Sequence, residues 1–255
     1  MEEELYHELW QTEQLHWWFR GRREIVRSLV ARYAPPKVGH SLQVCELGCG
    51  TGGNIAAWAN EHDVVGVDAS AHALKFARRR LGSRVRYGRL PHEIPLPPES
   101  YDVVLMTDVL EHVEDDASSV RTALSLLRVG GIVVATVPAH QWLYSPRDRY
   151  HQHVRRYSKI RFRRLFDVPG ARIELFSFYN CFLSPAAAAV RLWSKFAGPN
   201  PRVGDLRIPP ALINGLLTAV FSMEKHLLGR TDLPWGLSVI AVARKSARAP
   251  LAAAG

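Results

Sequence analysis

The hydrophobic positions change their period along the chain. From 5 to 33, Leu5, Leu9, Leu15, Trp18, Ile25 and Leu29 recur at roughly helical spacing and stop before Pro35 and Pro36, which predicts one or two amphipathic helices. Beyond the prolines, short apolar runs end in glycine or aspartate. "SLQVCELG" reads as a strand, "NIAAWANE" as helical, "DVVGVD" as a second strand, and "SAHALKFARRRLG" as a helix capped by Ser70 and stopped by Gly82. Strand, helix, strand, helix in that order predicts a parallel sheet joined by right-handed crossovers. Further strands are predicted at "RVRYGR", "YDVVLMTD", "GIVVATVP", "RIELFSFYN" and "GLSVIAVARK", with a helix in "ASSVRTALSLLRVGG", so the set is seven.

Composition narrows this picture. At 255 residues and 47% hydrophobic, the chain can bury one large core without disulfides or a structural metal. Cys45, Cys49 and Cys181 are odd in number and lack metal-ligand spacing, so no metal set is read here and a reducing cytoplasm is expected. The start, "MEEELYHELW", is acidic and amphipathic, unlike an export signal. "IPPALINGLLTAVFSM" (208–223) holds two prolines and an asparagine and falls short of the ~20 apolar residues of a membrane span. No transmembrane helix is expected.

Net charge is +9, with a sequence pI near 9.8. The segment "RDRYHQHVRRYSKIRFRR" (147–164) carries eight basic residues against one acid, Asp148, with three aromatics interleaved. Either it meets an anionic partner, or arginine simply solvates a helical surface.

The candidate chemistry centres on "VCELGCGTGGNI" (44–55), where a strand runs into a glycine turn. Gly48, Gly50 and Gly53 fit the G-x-G-x-x-G spacing of a dinucleotide site, while Gly48, Gly50 and Gly52 fit a tighter G-x-G-x-G. In an open parallel sheet, ligands bind beyond the carboxyl ends of the strands, where glycine lets backbone approach them. Asp68 ends the second strand about twenty residues after the turn, placed to accept hydrogen bonds from both hydroxyls of a ribose. An adenosine-containing ligand follows. Glu46 decides which one, since a carboxylate at the first strand tip opposes a pyrophosphate but suits an ammonium and a sulfonium. S-adenosylmethionine carries both.

"CELGCGTGG", "VVGVD", "YDVVLMTDVLEHVED" and "LLRVGGIVVATVP" resemble, in order and spacing, the successive motifs of class I S-adenosylmethionine-dependent methyltransferases, in particular the group with an "LEHV" element after the fourth strand. The resemblance implies an α/β, Rossmann-like, seven-stranded and mostly parallel sheet whose last strand is antiparallel. It also implies methyl transfer that leaves S-adenosylhomocysteine. It places Glu46 and Gly48 near the methionine part of the cofactor, Asp68 at the ribose, and Thr107 and Asp108 over the cofactor, with Cys49, Gly50, Gly52 and Ala69 also among the cofactor-binding residues. Many relatives carry an acidic residue near the adenine where this chain has Arg89, so the ring is expected to meet the backbone of Leu90.

"HWWFRGRREIV" (16–26) and "DRYHQHVRRYS" (148–158) resemble a narrower branch of that superfamily. In the first, Trp18 could close over the sulfonium while Arg22 meets the cofactor carboxylate, forming a lid. Alternatively, the tryptophans pack into the core of an ordinary amphipathic helix. In the second, His153 or Tyr157 could take a proton from the acceptor, with Asp148 orienting the imidazole; Arg155 and Arg156 could hold an anionic group, and His112 could touch cofactor or acceptor.

The expected organisation is an N-terminal helical lid (1–36), a cofactor-binding core (37–180), a helical insert (181–234), the last core strand (235–246) and a frayed tail (247–255). The insert is rich in Ala, Leu, Phe and Trp, and would cap the pocket, pair two subunits or touch a lipid surface. An apolar cap beside a basic loop suggests a small-molecule or lipid-linked acceptor with a hydroxyl or amine. The rival readings are an NAD-dependent oxidoreductase, a nucleic-acid-binding protein, and an RNA methyltransferase using 147–164.

Overall fold

In the computed structural model, the described residues are 3–185 and 206–247; part of the predicted insert (186–205) and nearly all of the predicted tail (248–255) lie outside them. The predicted N-terminal pair of helices is α1 (Glu3–Thr12) and α2 (Trp17–Tyr33), with His16 as the N-cap of α2, accepting from the Trp18 amide. There follow β1 (Gln43–Leu47), β2 (Asp63–Asp68), α3 (Ala71–Leu81), β3 (Val85–Tyr87), β4 (Tyr101–Thr107), α4 (Asp116–Leu126) and β5 (Leu127–Pro138). The chain ends through α5 (Pro146–Tyr150), α6 (Lys159–Arg164), β6 (Ala171–Tyr179), α7 (Ala211–Ser222) and β7 (Ser238–Lys245). Ser70 caps α3 by accepting from the Ala73 amide, and Gly82 ends it at φ +59°, as expected.

The seven strands form one sheet in the order β3-β2-β1-β4-β5-β7-β6. Every pairing from β3 to β5 is parallel, and β7 runs antiparallel to both β5 and β6. Because side chains alternate across a strand, each central strand feeds two apolar layers. Val103, Leu105, Ile132 and Val134 point into one, with Ile25, Leu29 and Phe221; Val104, Met106, Val133 and Ala135 point into the other, with Val120, Tyr157 and Phe162.

Two expectations shift. "NIAAWANE" contributes only a 3₁₀ turn, Ile55–Trp58, because so few residues separate the glycine turn from β2 at Asp63. β5 starts earlier, at Leu127, and absorbs Gly130 at φ +88° beside a register shift against β4.

α7, from the predicted insert, packs on α2. Phe221 is fully buried against Gly21, and Asn214 accepts from the Trp17 amide (2.9 Å) and donates to the Leu15 carbonyl (2.8 Å). The turn between α1 and α2 is thereby tied to the insert. After α7, the buried Glu224 accepts from the backbone amides of Asn180, Cys181 and Phe182 at 2.6, 2.6 and 3.0 Å and fixes the exit of β6. The other side of α7 leaves Leu212, Leu216 and the following Met223 exposed. No helix among the described residues is long and apolar enough to cross a membrane.

Candidate active site

The carboxyl ends of β1, β2 and β4 come together at the glycine turn. Glu46 lies beside Gly66 of β2 and Leu105 of β4 and is 1% exposed. One of its oxygens accepts from the Asn54 amide group (2.6 Å) and the Thr107 hydroxyl (2.8 Å); the other has no partner. Burial pushes its pKa up to about 7, against the pull of those two hydrogen bonds. Asp68 accepts from the Gly50 amide on one oxygen and the Ser70 amide on the other, each at 2.8 Å.

The two overlapping glycine patterns separate here. Gly48, Gly50 and Gly52 adopt φ of +73°, +55° and +81°, so the backbone itself demands the tighter G-x-G-x-G. A Cβ at Gly50 would meet nothing within 4 Å, which leaves open space beside the turn. Gly53 is glycine for another reason: a Cβ there would lie 2.1 Å from the Glu13 carboxyl carbon. Cys49 is buried and donates its amide to Val67, while Ala69 is exposed just after Asp68. Leu90 is half-buried where Arg89 and Glu93 exchange backbone hydrogen bonds of 2.9 Å, and the Arg89 side chain is exposed.

Asp108, just past β4, sits in the left-handed region at φ +54°, held by its amide to the Thr136 carbonyl (3.0 Å) and by the Thr136 hydroxyl (3.0 Å). His140 beyond β5 (φ +63°) and Asn180 beyond β6 (φ +56°) share this conformation, so backbone strain gathers at the ligand end of the sheet.

The N-terminal helices close over the turn. Arg22, buried, pairs with Asp108 and stands 4.6 Å from the Trp18 ring centre. Glu13 accepts from the Thr51 hydroxyl and pairs with Arg80 at 3.0 Å, and Gln14 donates to the Gly53 carbonyl at 2.8 Å. Trp17 and Trp18 pack against the core through Phe221, as the alternative reading of that helix expected. A groove of about 470 Å³ bordered by Tyr33, Ile173, Glu174 and Asp232 lies near the start of β6, at the opposite end of the sheet from this chemistry.

A second constellation stands beyond β4 and β5. Asp148 accepts from His153 Nδ1 at 3.1 Å, so the expected orienting contact exists. Burial works against charge on Asp148, yet His153, Arg156 and Ser145 outweigh it and hold its carboxyl below the usual range. His112 Nδ1 faces the Gln152 carbonyl at 3.3 Å, and the two imidazoles meet edge to face, 4.8 Å between centres. Both Nδ1 partners only accept, so each neutral ring carries its proton on Nδ1 and a lone pair on Nε2. Burial, then the neighbouring His153, lowers the His112 pKa to about 4.

Three expectations are corrected. Tyr157 is fully buried, its hydroxyl donating to Asp116 (2.9 Å), 3.0 Å from the Leu110 carbonyl, and burial followed by Asp116 raises its pKa further, so it is no available base. Arg156 is spent on Asp148 at 2.7 Å and on the Ala139 carbonyl, and is 3% exposed. Arg155 is spent on Asp116 at 2.9 Å and on the carbonyls of Val113 and Glu114. Neither guanidinium is left for an anionic acceptor.

Sequence reading passed over Asn54, Thr136 and Glu111. Asn54 follows the glycine turn directly and could have been found as a lone amide entering an apolar run; Thr136 hides inside a strand. Glu111 precedes His112 in "LEHV", is 1% exposed, and has one carboxylate oxygen without a partner. Burial, then Asp108, drives its pKa well up.

A ligand with an ammonium fits this cleft. Glu46 at the tip of β1 would oppose a pyrophosphate, and its unpartnered oxygen lacks a donor that an ammonium would supply. A methyltransferase domain family matches residues 45–135. A probable S-adenosylmethionine-dependent methyltransferase of Mycolicibacterium smegmatis is 30% identical over 164 residues, 62% of this chain and 61% of that one. A ubiquinone biosynthesis O-methyltransferase of Nitrosomonas europaea is 33% identical over 131 residues, 46% of this chain and 55% of that one. The chain thus spans about half the length of the curated relatives it matches. Among solved structures, a possible histamine N-methyltransferase of Thermotoga maritima superposes with a TM-score of 0.58 at 16% identity, over 95% of this chain and 96% of that one, which shows a common fold.

Proposed function

We propose that the whole chain, whose residues 45–135 match a methyltransferase domain family, transfers a methyl group from S-adenosylmethionine to an oxygen or nitrogen of a small, partly apolar acceptor. The observation that carries this reading is Glu46: a fully buried carboxylate with one oxygen unpartnered, at the tip of β1 above an open glycine turn. On this reading Glu46 meets the cofactor ammonium, Asp68 the ribose hydroxyls, and the backbone at Leu90 the adenine. Gly48, Cys49, Gly50, Gly52 and Ala69 make the wall, and Thr107 and Asp108 bound the methyl end. Arg22 exchanges Asp108 for the cofactor carboxylate, and α1 and α2 act as the lid.

When bound, the cofactor supplies an electrophilic methyl on a sulfonium and leaves as S-adenosylhomocysteine. The protein's contribution is alignment, which can supply effective molarities on the order of 10⁵ M or more, with water excluded by the lid. The acceptor stands against the lone pairs of His112 and His153. Its apolar body has a surface to lie on: His140 stacks on Trp235 at 4.0 Å, Phe178 lies beside them, and Trp142 is 52% exposed. The O-methylation named for the Nitrosomonas europaea relative supports oxygen as the receiving atom.

The test is to incubate the protein with methyl-labelled S-adenosylmethionine and fractionated cell extract, and to follow label by mass spectrometry. The reading expects single methyl gains, enriched on acceptors carrying acyl or prenyl chains. Label confined to small polar acceptors would refute the apolar-body part; no transfer, together with turnover of NAD, would refute the whole.

A further inference from the structure

Glu111, His112 and His153 each offer one ligating atom, and the three atoms lie within 4.8 Å of one another. They come from two separate segments, the 3₁₀ turn after β4 and the loop after α5, joined by the Val154 amide donating to the Glu111 carbonyl at 2.7 Å. We propose that this cluster is a divalent metal site of the two-histidine, one-carboxylate type, taking Zn²⁺ or a cation of similar preference.

Three independent features support it. The carboxyl group of Glu111 is buried with an unpartnered oxygen, and its ionised form is expensive there unless a cation completes it. Both imidazoles are turned by Nδ1 partners that only accept, Asp148 for His153 and the Gln152 carbonyl for His112, so each neutral ring keeps a lone pair on Nε2 that can serve as a ligand. Such carboxylate and carbonyl partners are the usual outer contacts of metal-binding histidines. Asp148 is itself fixed, by the Ser145 hydroxyl at 2.9 Å and Arg156 at 2.7 Å, and Tyr144 donates to the His153 carbonyl at 2.7 Å, so the support is rigid. Ligand atoms around tetrahedral zinc stand about 3.4 Å apart for bonds of about 2.0–2.1 Å, so the cluster needs only a modest contraction. Three protein ligands leave at least one coordination position for an outside oxygen.

This deepens the methyl-transfer reading and rests on it only for its consequence. An acceptor hydroxyl bound at the open position would lose its proton to solvent and attack the methyl as the oxygen–carbon bond forms. The carbon–sulfur bond breaks with its electrons going to sulfur, leaving neutral thioether. The lone pair of His153 then serves the ion, and the ion lowers the acceptor's pKa. The acceptor class is therefore a hydroxyl that can chelate, such as an enol, a phenol with a neighbouring oxygen or a vicinal diol.

The full chain, stripped with a chelator, would be titrated with ZnCl₂ by calorimetry, and with CoCl₂ while visible absorption is recorded. One equivalent of Zn²⁺ and the visible bands of histidine-bound Co²⁺ are expected. Glu111→Gln and His153→Gln should each weaken Zn²⁺ binding at least 100-fold, and Asp148→Asn about 10- to 100-fold, thermal melts confirming that the variants fold. A folded wild-type protein that takes up no stoichiometric Zn²⁺ and shows no Co²⁺ bands, or binding indifferent to these substitutions, overturns the site. S-adenosylhomocysteine, titrated in parallel with chelator present, separates the two questions. Its failure to bind would refute the methyl-transfer reading and leave the metal result standing.

Discussion

The two halves of the cleft are built by opposite strategies. At β1 and β2, every important group comes from one short stretch of chain: Glu46, the three left-handed glycines, Asn54 and Asp68 all fall within one strand-turn-strand unit. At β4 and β5, Asp108 and the cluster of Glu111, His112 and His153 are assembled from segments some forty residues apart, and α2 reaches Asp108 from the N-terminus through Arg22. The first half is a rigid carboxylate cradle, whereas the second is a set of lone pairs held open by outer contacts. The cradle suits recognition of a fixed cofactor, and the lone pairs suit handling of a reacting acceptor.

Substitutions should separate the halves. The largest effect is expected from Asp68→Ala, which on the proposed reading removes the acceptors for two ribose hydroxyls and should cost about 100-fold or more in S-adenosylhomocysteine affinity by calorimetry. An unchanged affinity would mean that the cradle binds something else. Asp148→Asn frees His153 from its tautomer and should lower methyl-transfer turnover about 10- to 100-fold while leaving cofactor affinity unchanged, so a matching loss in cofactor affinity would erase the division.

Acidity comes next. Burial sets Glu46 at about 7, so its ionised form destabilises the ligand-free fold as pH rises from the ordinary carboxylate range to 7. A cationic ligand offsets that cost. Cofactor affinity should accordingly be level from pH 7 up to the pKa of the ligand's own ammonium and fall about tenfold per unit below pH 7, and Glu46→Gln should flatten that acid limb; a flat wild-type profile below pH 7 would remove Glu46 from the ammonium contact. Smallest is Gly21→Ala on α2. A Cβ there would lie 2.5 Å from the buried Phe221 ring, so overpacking should cost about 1–3 kcal/mol, seen as a lower melting temperature, while leaving the chemistry of both halves in place.

Legibility in the sequence followed the same division. The seven strands, the caps of α3 and the placing of Glu46, the glycines and Asp68 at the ends of β1 and β2 were readable because hydrophobic period, glycine spacing and strand-end aspartate are all local signals. The fates of Arg155, Arg156 and Tyr157 were not, because their partners, Asp116 and Asp148 among them, are chosen by the tertiary fold and not by spacing. Glu111 was hidden beside the more conspicuous His112. Only the return of the loop after α5 shows that the two belong to one cluster with His153.

The central claim is that the cradle takes a cationic nucleoside and not a diphosphate. Calorimetric titration of the wild-type chain at pH 8 with S-adenosylhomocysteine and, separately, with NAD tests it most directly. One molecule of S-adenosylhomocysteine bound at micromolar affinity, with no heat from NAD, is the expected result. NAD binding without S-adenosylhomocysteine binding would contradict the account.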